Sequence, residues 1–169
     1  MQLNCLMDEK YLIPKKFRSL PLRNGVGVAL LNKDNKVFVG KRIDNPNDFW
    51  QMPQGGIDNG ENNLDAAYRE LKEETSIKSV QIIREVNKEI TYLLPDSLLG
   101  IIWKGKFKGQ TQKWFIMRFL GDDNEINLKT KHPEFLDWKW IDIENITEKV
   151  VDFKLHVYEK IKFELKNSI

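Results

Sequence analysis

Three glutamates near the end of the stretch GGIDNGENNLDAAYRELKEETSI, residues 55–77, are spaced in a way that invites chemistry. Glu70, Glu73 and Glu74 stand at i, i+3 and i+4, so a helix would crowd them together, where like charges repel by about 0.2–0.5 kcal/mol per pair. An ordinary solvated helix face places Lys or Arg four residues after Glu, but here Glu70 is followed by Glu74, and Glu73 by Ile77. At about 100° per residue Leu64, Ala67, Leu71 and Thr75 form one buried stripe, with the acids on an adjacent face and Lys72 pointing away. Carboxylates gathered beside a buried stripe, with no cation expected on the helix, suit hard divalent ions such as Mg²⁺ or Mn²⁺.

The elements that must position these acids are also legible. Gly55, Gly56 and Gly60 permit tight turns and close approach of a ligand, and they lead into a helix start near Asn62 or Asn63, both good N-caps. The helix is expected over about residues 63–75. From Gly55 the chain runs five residues to Glu61 and seven more to Arg69, then continues Glu70, Leu71, Lys72, Glu73, Glu74. At average residue frequencies such a coincidence has a probability on the order of 10⁻⁷ per starting position.

This pattern resembles the Nudix box, G-x5-E-x7-R-E-U-x-E-E-x-G-U with U aliphatic. The matching residues are Gly55, Glu61, Arg69, Glu70, Leu71, Glu73, Glu74 and Ile77; Ser76 stands where the family has Gly. The resemblance implies a loop-helix-loop that binds divalent metal and an enzyme that hydrolyses a nucleoside diphosphate linked to another moiety. The Gly at that place is read as a left-handed helix terminator, so Ser76 removes no metal ligand.

Further motifs, WQMPQGG (50–56), GQTQKWF (109–115), PEFLDWKW (133–140) and DFK (152–154), are similar to those of bacterial RNA pyrophosphohydrolases and dinucleoside polyphosphate hydrolases, over roughly residues 21–165. The resemblance implies metal ligation by Glu70, Glu73, Glu74 and Glu134, with Glu74 or Glu70 deprotonating the attacking water. Glu61 and Arg69, with Gly55, hold the loop to the helix. Arg23 and Arg42 would meet the 5′ phosphates or stack near the bases, and Val151, Phe153 and Lys154 would complete the substrate site. The implied substrate is 5′-triphosphorylated RNA, converted to a 5′-monophosphate with release of pyrophosphate. A dinucleoside polyphosphate such as diadenosine tetraphosphate is the alternative. A non-catalytic binding module is a third reading, opposed by the intact set of box glutamates.

Of 169 residues, 41% are hydrophobic and 11% aromatic, enough for a substantial core, and 27 basic against 25 acidic residues leave any RNA contact to local charge. The lone Cys5 excludes an intramolecular disulfide, and the first residues show neither a signal pattern nor a spanning segment, so a cytoplasmic protein is expected, with no membrane contact and no obligatory protein partner. Residues 1–20 read as a loosely packed extension and 21–169 as one domain. Strands are expected at 25–31 and 36–42, joined as a hairpin across NKDN, and at 79–84, 88–94, 98–103, 112–120 and 135–142. Phe153, Val157, Ile161 and Leu165 predict a C-terminal helix, and Trp50, Trp114, Trp138 and Trp140 are assigned to the core. The fold class is α/β, and the resemblance implies an α/β/α sandwich with a mixed sheet.

Overall fold

The computed structural model describes residues 13–169; residues 1–12, with Cys5 and much of the expected extension, lie outside the described residues. Strands are β1 (Leu22–Leu31), β2 (Val37–Arg42), β3 (Trp50–Gln51), β4 (Gln54–Gly56), β5 (Val80–Glu85), β6 (Ile90–Leu93), β7 (Gly109–Phe119) and β8 (Phe135–Ile141). Two helices, α1 (Asn63–Thr75) and α2 (Leu155–Lys166), accompany them.

The alternating pattern of β1 explains the layers. Val26, Val28 and Leu30 join Ala66, Ala67 and Leu71 of α1 in one core, while Ala29 and Leu31 join Val157, Tyr158, Ile161 and Leu165 of α2 in another. The strands of β2 and β7 divide in the same way: Phe38, Phe115 and Met117 face α1, and Val39, Trp114 and Ile116 face α2. The sheet is mixed, since β1 runs parallel to β7 and antiparallel to β2 and β4. The result is a sheet sandwiched between two helices, the expected fold class.

One departure from simple hairpin pairing builds the site. The β1–β2 hairpin pairs at Leu31 and Val37, and toward the other end of β1 the short β4 takes the place beside it, with Gly25 opposite Gly56 and Gly27 opposite Gln54. Neither β3 nor β4 was expected from the sequence, because two or three residues are too few to show a period.

Three expectations are corrected. Residues 98–103 form no strand: Leu98 and Leu99 N–H groups bond back to Pro95 O, and Ile102–Gly105 is a short 3₁₀ turn. Apolar residues without period-2 alternation suited a buried strand, whereas Pro95 and two glycines with positive φ, Gly100 and Gly105, favour turns. Phe153 lies outside the α2 stripe, in a 3₁₀ turn before the helix. Within the extension, Ile13 and Phe17 are partly buried against the core and so are better packed than expected, while Lys15, Lys16, Arg18 and Ser19 are exposed. No helix among the described residues is long and apolar enough to cross a membrane.

Candidate active site

The box helix starts and stops where its chemistry requires. Asn62 is the N-cap, its Oδ1 accepting from Asp65 N at 2.8 Å, and Ser76 closes the helix in the left-handed region at φ 66°. Ser76 Oγ donates to Asn127 O at 2.8 Å, a bond that glycine could not make.

Gly55 and Gly56, in β4, are the points of closest approach between this helix and the cleft. Successive strand residues face opposite sides of a sheet. A Cβ at Gly55 would lie 2.0 Å from the Glu70 carboxyl carbon, and one at Gly56 would lie 2.3 Å from Arg23 Nη2. The two absent side chains thus let a carboxylate approach from the α1 side and a guanidinium from the other, one residue apart.

The expected substrate residues, with Glu70 and Glu134 of the expected metal set, converge on one cleft of about 540 Å³. Arg23, Arg42, Val151, Phe153, Lys154, Gly55, Glu70 and Glu134 all line it. That volume is typical of a small-molecule site. Glu74 lies beneath, 1% exposed, and neither carboxylate oxygen has a hydrogen-bond donor among the described residues. Burial raises its pKa well above the ordinary value, and the negative charge of the nearby Glu134 raises it further. Burial also pushes Glu70 up to about 7, against the lowering effect of Arg69.

Glu73, Glu61 and Arg69 form a separate rim. Arg69 donates to both Glu61 oxygens at 2.8 and 2.9 Å, to Glu70 at 2.8 Å, to Glu73 at 3.1 Å and to Gly56 O at 2.8 Å. These bonds tie loop to helix and hold Glu61 down at a pKa of about 2. They also correct the expectation that the acids lack a local cation: Arg69 reaches Glu73 at i+4 and its own neighbour Glu70. Glu73 remains largely exposed, and it is Glu74 that has no hydrogen-bond partner among the described residues.

The arginines of the cleft differ. Arg42 donates to both oxygens of Asp44 at 2.7 and 2.6 Å, placed by a register shift where β2 pairs with β8. Arg23 takes no part in the ion pairs found among the described residues, and its guanidinium carbon stands 5.1 Å from the centre of the Trp103 ring. Lys154 is buried with its ammonium 5.2 Å from the Tyr92 ring and 5.9 Å from Phe153. Burial, with Arg42 adding like charge, pulls its pKa down to about 7.

Other expected and unexpected residues are placed as follows. Trp50 and Trp114 are buried and Trp138 and Trp140 pack against the α1-side core, as assigned. Tyr92, Gln54 and Trp103 line the cleft but were not singled out from the sequence. The signal for Gln54 was the WQMPQGG motif itself; Trp103 was hidden by the mistaken strand.

Whether a divalent ion fits can be judged from the donors. Among the described residues no three carboxylates or imidazoles close round one point as they stand. The available donors are nevertheless oxygen-only, two of them buried and unpartnered on Glu74, beside Glu134 and Glu70. Hard ions such as Mg²⁺ commonly bind through one or two carboxylates and complete their coordination with water and substrate phosphates, so these residues fit.

Comparison with known proteins identifies the family. The NUDIX domain model matches residues 21–161. The chain is 71% identical over 151 residues to a protein of Pelagibacter ubique named RNA pyrophosphohydrolase, covering 89% of this chain and 96% of that one. A Rhodospirillum rubrum protein of the same name is 46% identical over 152 residues, covering 90% and 92%. The fold also matches the E. coli dihydroneopterin triphosphate pyrophosphohydrolase, with a TM-score of 0.67 at 22% identity over 85% of this chain and 99% of that one. A C. elegans Ap4A hydrolase gives 0.62 at 21%, covering 86% and 99%. With its box, its sandwich fold and a family match across most of its length, this chain belongs to the Nudix family.

Proposed function

We propose that this chain is a metal-dependent RNA pyrophosphohydrolase, converting 5′-triphosphorylated RNA to 5′-monophosphorylated RNA with release of pyrophosphate. The observation that carries the reading is one cleft in which Glu70 and Glu134, over a buried Glu74 that has no hydrogen-bond donor among the described residues, share the lining with Arg23, Arg42 and Lys154. Relatives named RNA pyrophosphohydrolase at up to 71% identity support the substrate class. Nudix hydrolases generally need a divalent metal, and Mg²⁺, or Mn²⁺ in its place, is the ion proposed here.

The ion, held by Glu70, Glu74 and Glu134 with Glu73 at the rim, would neutralise phosphate charge and acidify water. Arg23 and Lys154 bind the polyphosphate, whose negative oxygens otherwise repel a nucleophile. Glu70 lines the cleft and accepts the proton of the attacking water, while Glu74 stays below. Glu61, Arg69 and Gly55 keep Glu70 in register with the loop. Phe153, Val151 and Arg42 form a wall against which a base of the RNA packs. The product, a 5′-monophosphate end, would admit end-sensing ribonucleases and so start transcript decay in the cytoplasm.

The test is to incubate the protein and Mg²⁺ separately with triphosphorylated RNA and diadenosine tetraphosphate, then identify the products. Pyrophosphate and monophosphorylated RNA, formed at the higher kcat/KM, are expected. Preferential cleavage of the dinucleotide would instead make this a dinucleoside polyphosphate hydrolase.

A further inference from the structure

Trp103 reaches the cleft on an unusual stretch of backbone. Trp103 and Lys104 both occupy the left-handed region, with φ of 52° and 57°, a conformation that side chains other than glycine adopt sparingly. Such backbone persists when its surroundings hold it, and it gathers at functional sites. Here the surroundings are visible. Lys106 N donates to Trp103 O at 3.2 Å, and Phe107 meets the indole edge-on at 6.1 Å.

The ring so placed has a partner that matters. The Arg23 guanidinium has two close neighbours: the Trp103 ring, 5.1 Å away, and the Cα of Gly56, where a Cβ would come within 2.3 Å of Nη2. Gly56 follows Gly55, against which the Glu70 carboxylate packs. A flat cation over an aromatic face and against a bare backbone loses freedom to turn, and among the described residues its N–H groups are not spent on a carboxylate as those of Arg42 are.

We propose that Trp103 is a positioning residue, which fixes the Arg23 guanidinium in the cleft as a preformed anchor for substrate phosphate. It acts through Arg23 and does not touch the reacting atoms. The inference rests on the reading of Arg23 as a phosphate-binding group, and it holds for any polyphosphate that the cleft accepts.

A double-mutant cycle on the full chain decides it, with Trp103→Leu, Trp103→Phe, Arg23→Ala and Arg23→Ala/Trp103→Leu. Two quantities are measured: kcat/KM on triphosphorylated RNA with Mg²⁺, and calorimetric binding of inorganic tripolyphosphate without metal. Melting first establishes that each variant is folded. Trp103→Leu is expected to weaken both roughly 3- to 30-fold, and Trp103→Phe, which keeps an aromatic face, less. In the Arg23→Ala background the Leu substitution should change neither by more than about 2-fold. An undiminished effect in that background, or none in the wild-type background, overturns the proposal. Absence of RNA turnover by the wild-type protein would sink the functional reading alone, because the tripolyphosphate cycle would still decide the role of Trp103.

Discussion

The two sides of α1 carry the same residue type to opposite ends. On the rim, Glu61 and Glu73 meet Arg69, and their charges are answered within the chain. On the cleft side, Glu74, the very next residue after Glu73, is buried with both oxygens unpartnered among the described residues and a second carboxylate, Glu134, for a neighbour. Burying a charge without a partner opposes folding. Paired carboxylates hold this loop together; the unpaired one marks where something from outside the chain completes the charge.

Glu74→Gln should break that contrast most strongly. Turnover is expected to fall on the order of 100-fold or more, while stability without metal holds or rises, because a neutral amide replaces a buried acid. Near-wild-type rates measured on both RNA and diadenosine tetraphosphate would remove the mechanism. Next comes Arg69→Leu, which leaves the four carboxylates of Asp58, Glu61, Glu70 and Glu73 without their shared cation and should destabilise by about 1–3 kcal/mol in chemical denaturation. Loss of activity should accompany it, since Glu70 loses its tether to the loop.

Smaller effects sharpen the same division. Glu73→Gln should lower turnover by about 10-fold, with no gain in metal-free stability, since its side chain is 58% exposed and already answered by Arg69. Equal stability gains in the Glu73 and Glu74 variants would dissolve the distinction between rim and cleft. Ser76→Gly should be the mildest: it relieves a left-handed serine but loses the bond to Asn127 O, leaving a net change within about 1 kcal/mol and an unaltered kcat.

Much of this was legible in the chain because its signals were local. The N-cap at Asn62, the end of α1 at Thr75 and the left-handed Ser76 follow from capping chemistry, and the β1–β2 hairpin from its turn residues. What the sequence hid depended on partners distant in the chain. Arg69 was visible as a residue of the box, but its reach to Glu70 and Glu73 needed the loop geometry. Trp103 was masked because LLGIIW reads as an apolar run, although its course is set by turns. Phe153 fitted the spacing of a helix that in fact starts two residues later, and the cleft gains it as a wall for that reason.

The central claim, that Glu74 is a buried acid held for an external cation, is tested most directly by stability against pH in wild type and Glu74→Gln without divalent metal. The folded-state pKa of Glu74 is raised, so its contribution to stability is fully present below the unfolded value near 4.5 and is lost as pH rises through the folded one. Wild type should therefore lose stability relative to Glu74→Gln as pH climbs above about 4.5. Added Mg²⁺ should restore part of that loss in wild type and less in the variant. Parallel curves for the two proteins across this range, unchanged by Mg²⁺, would contradict the account.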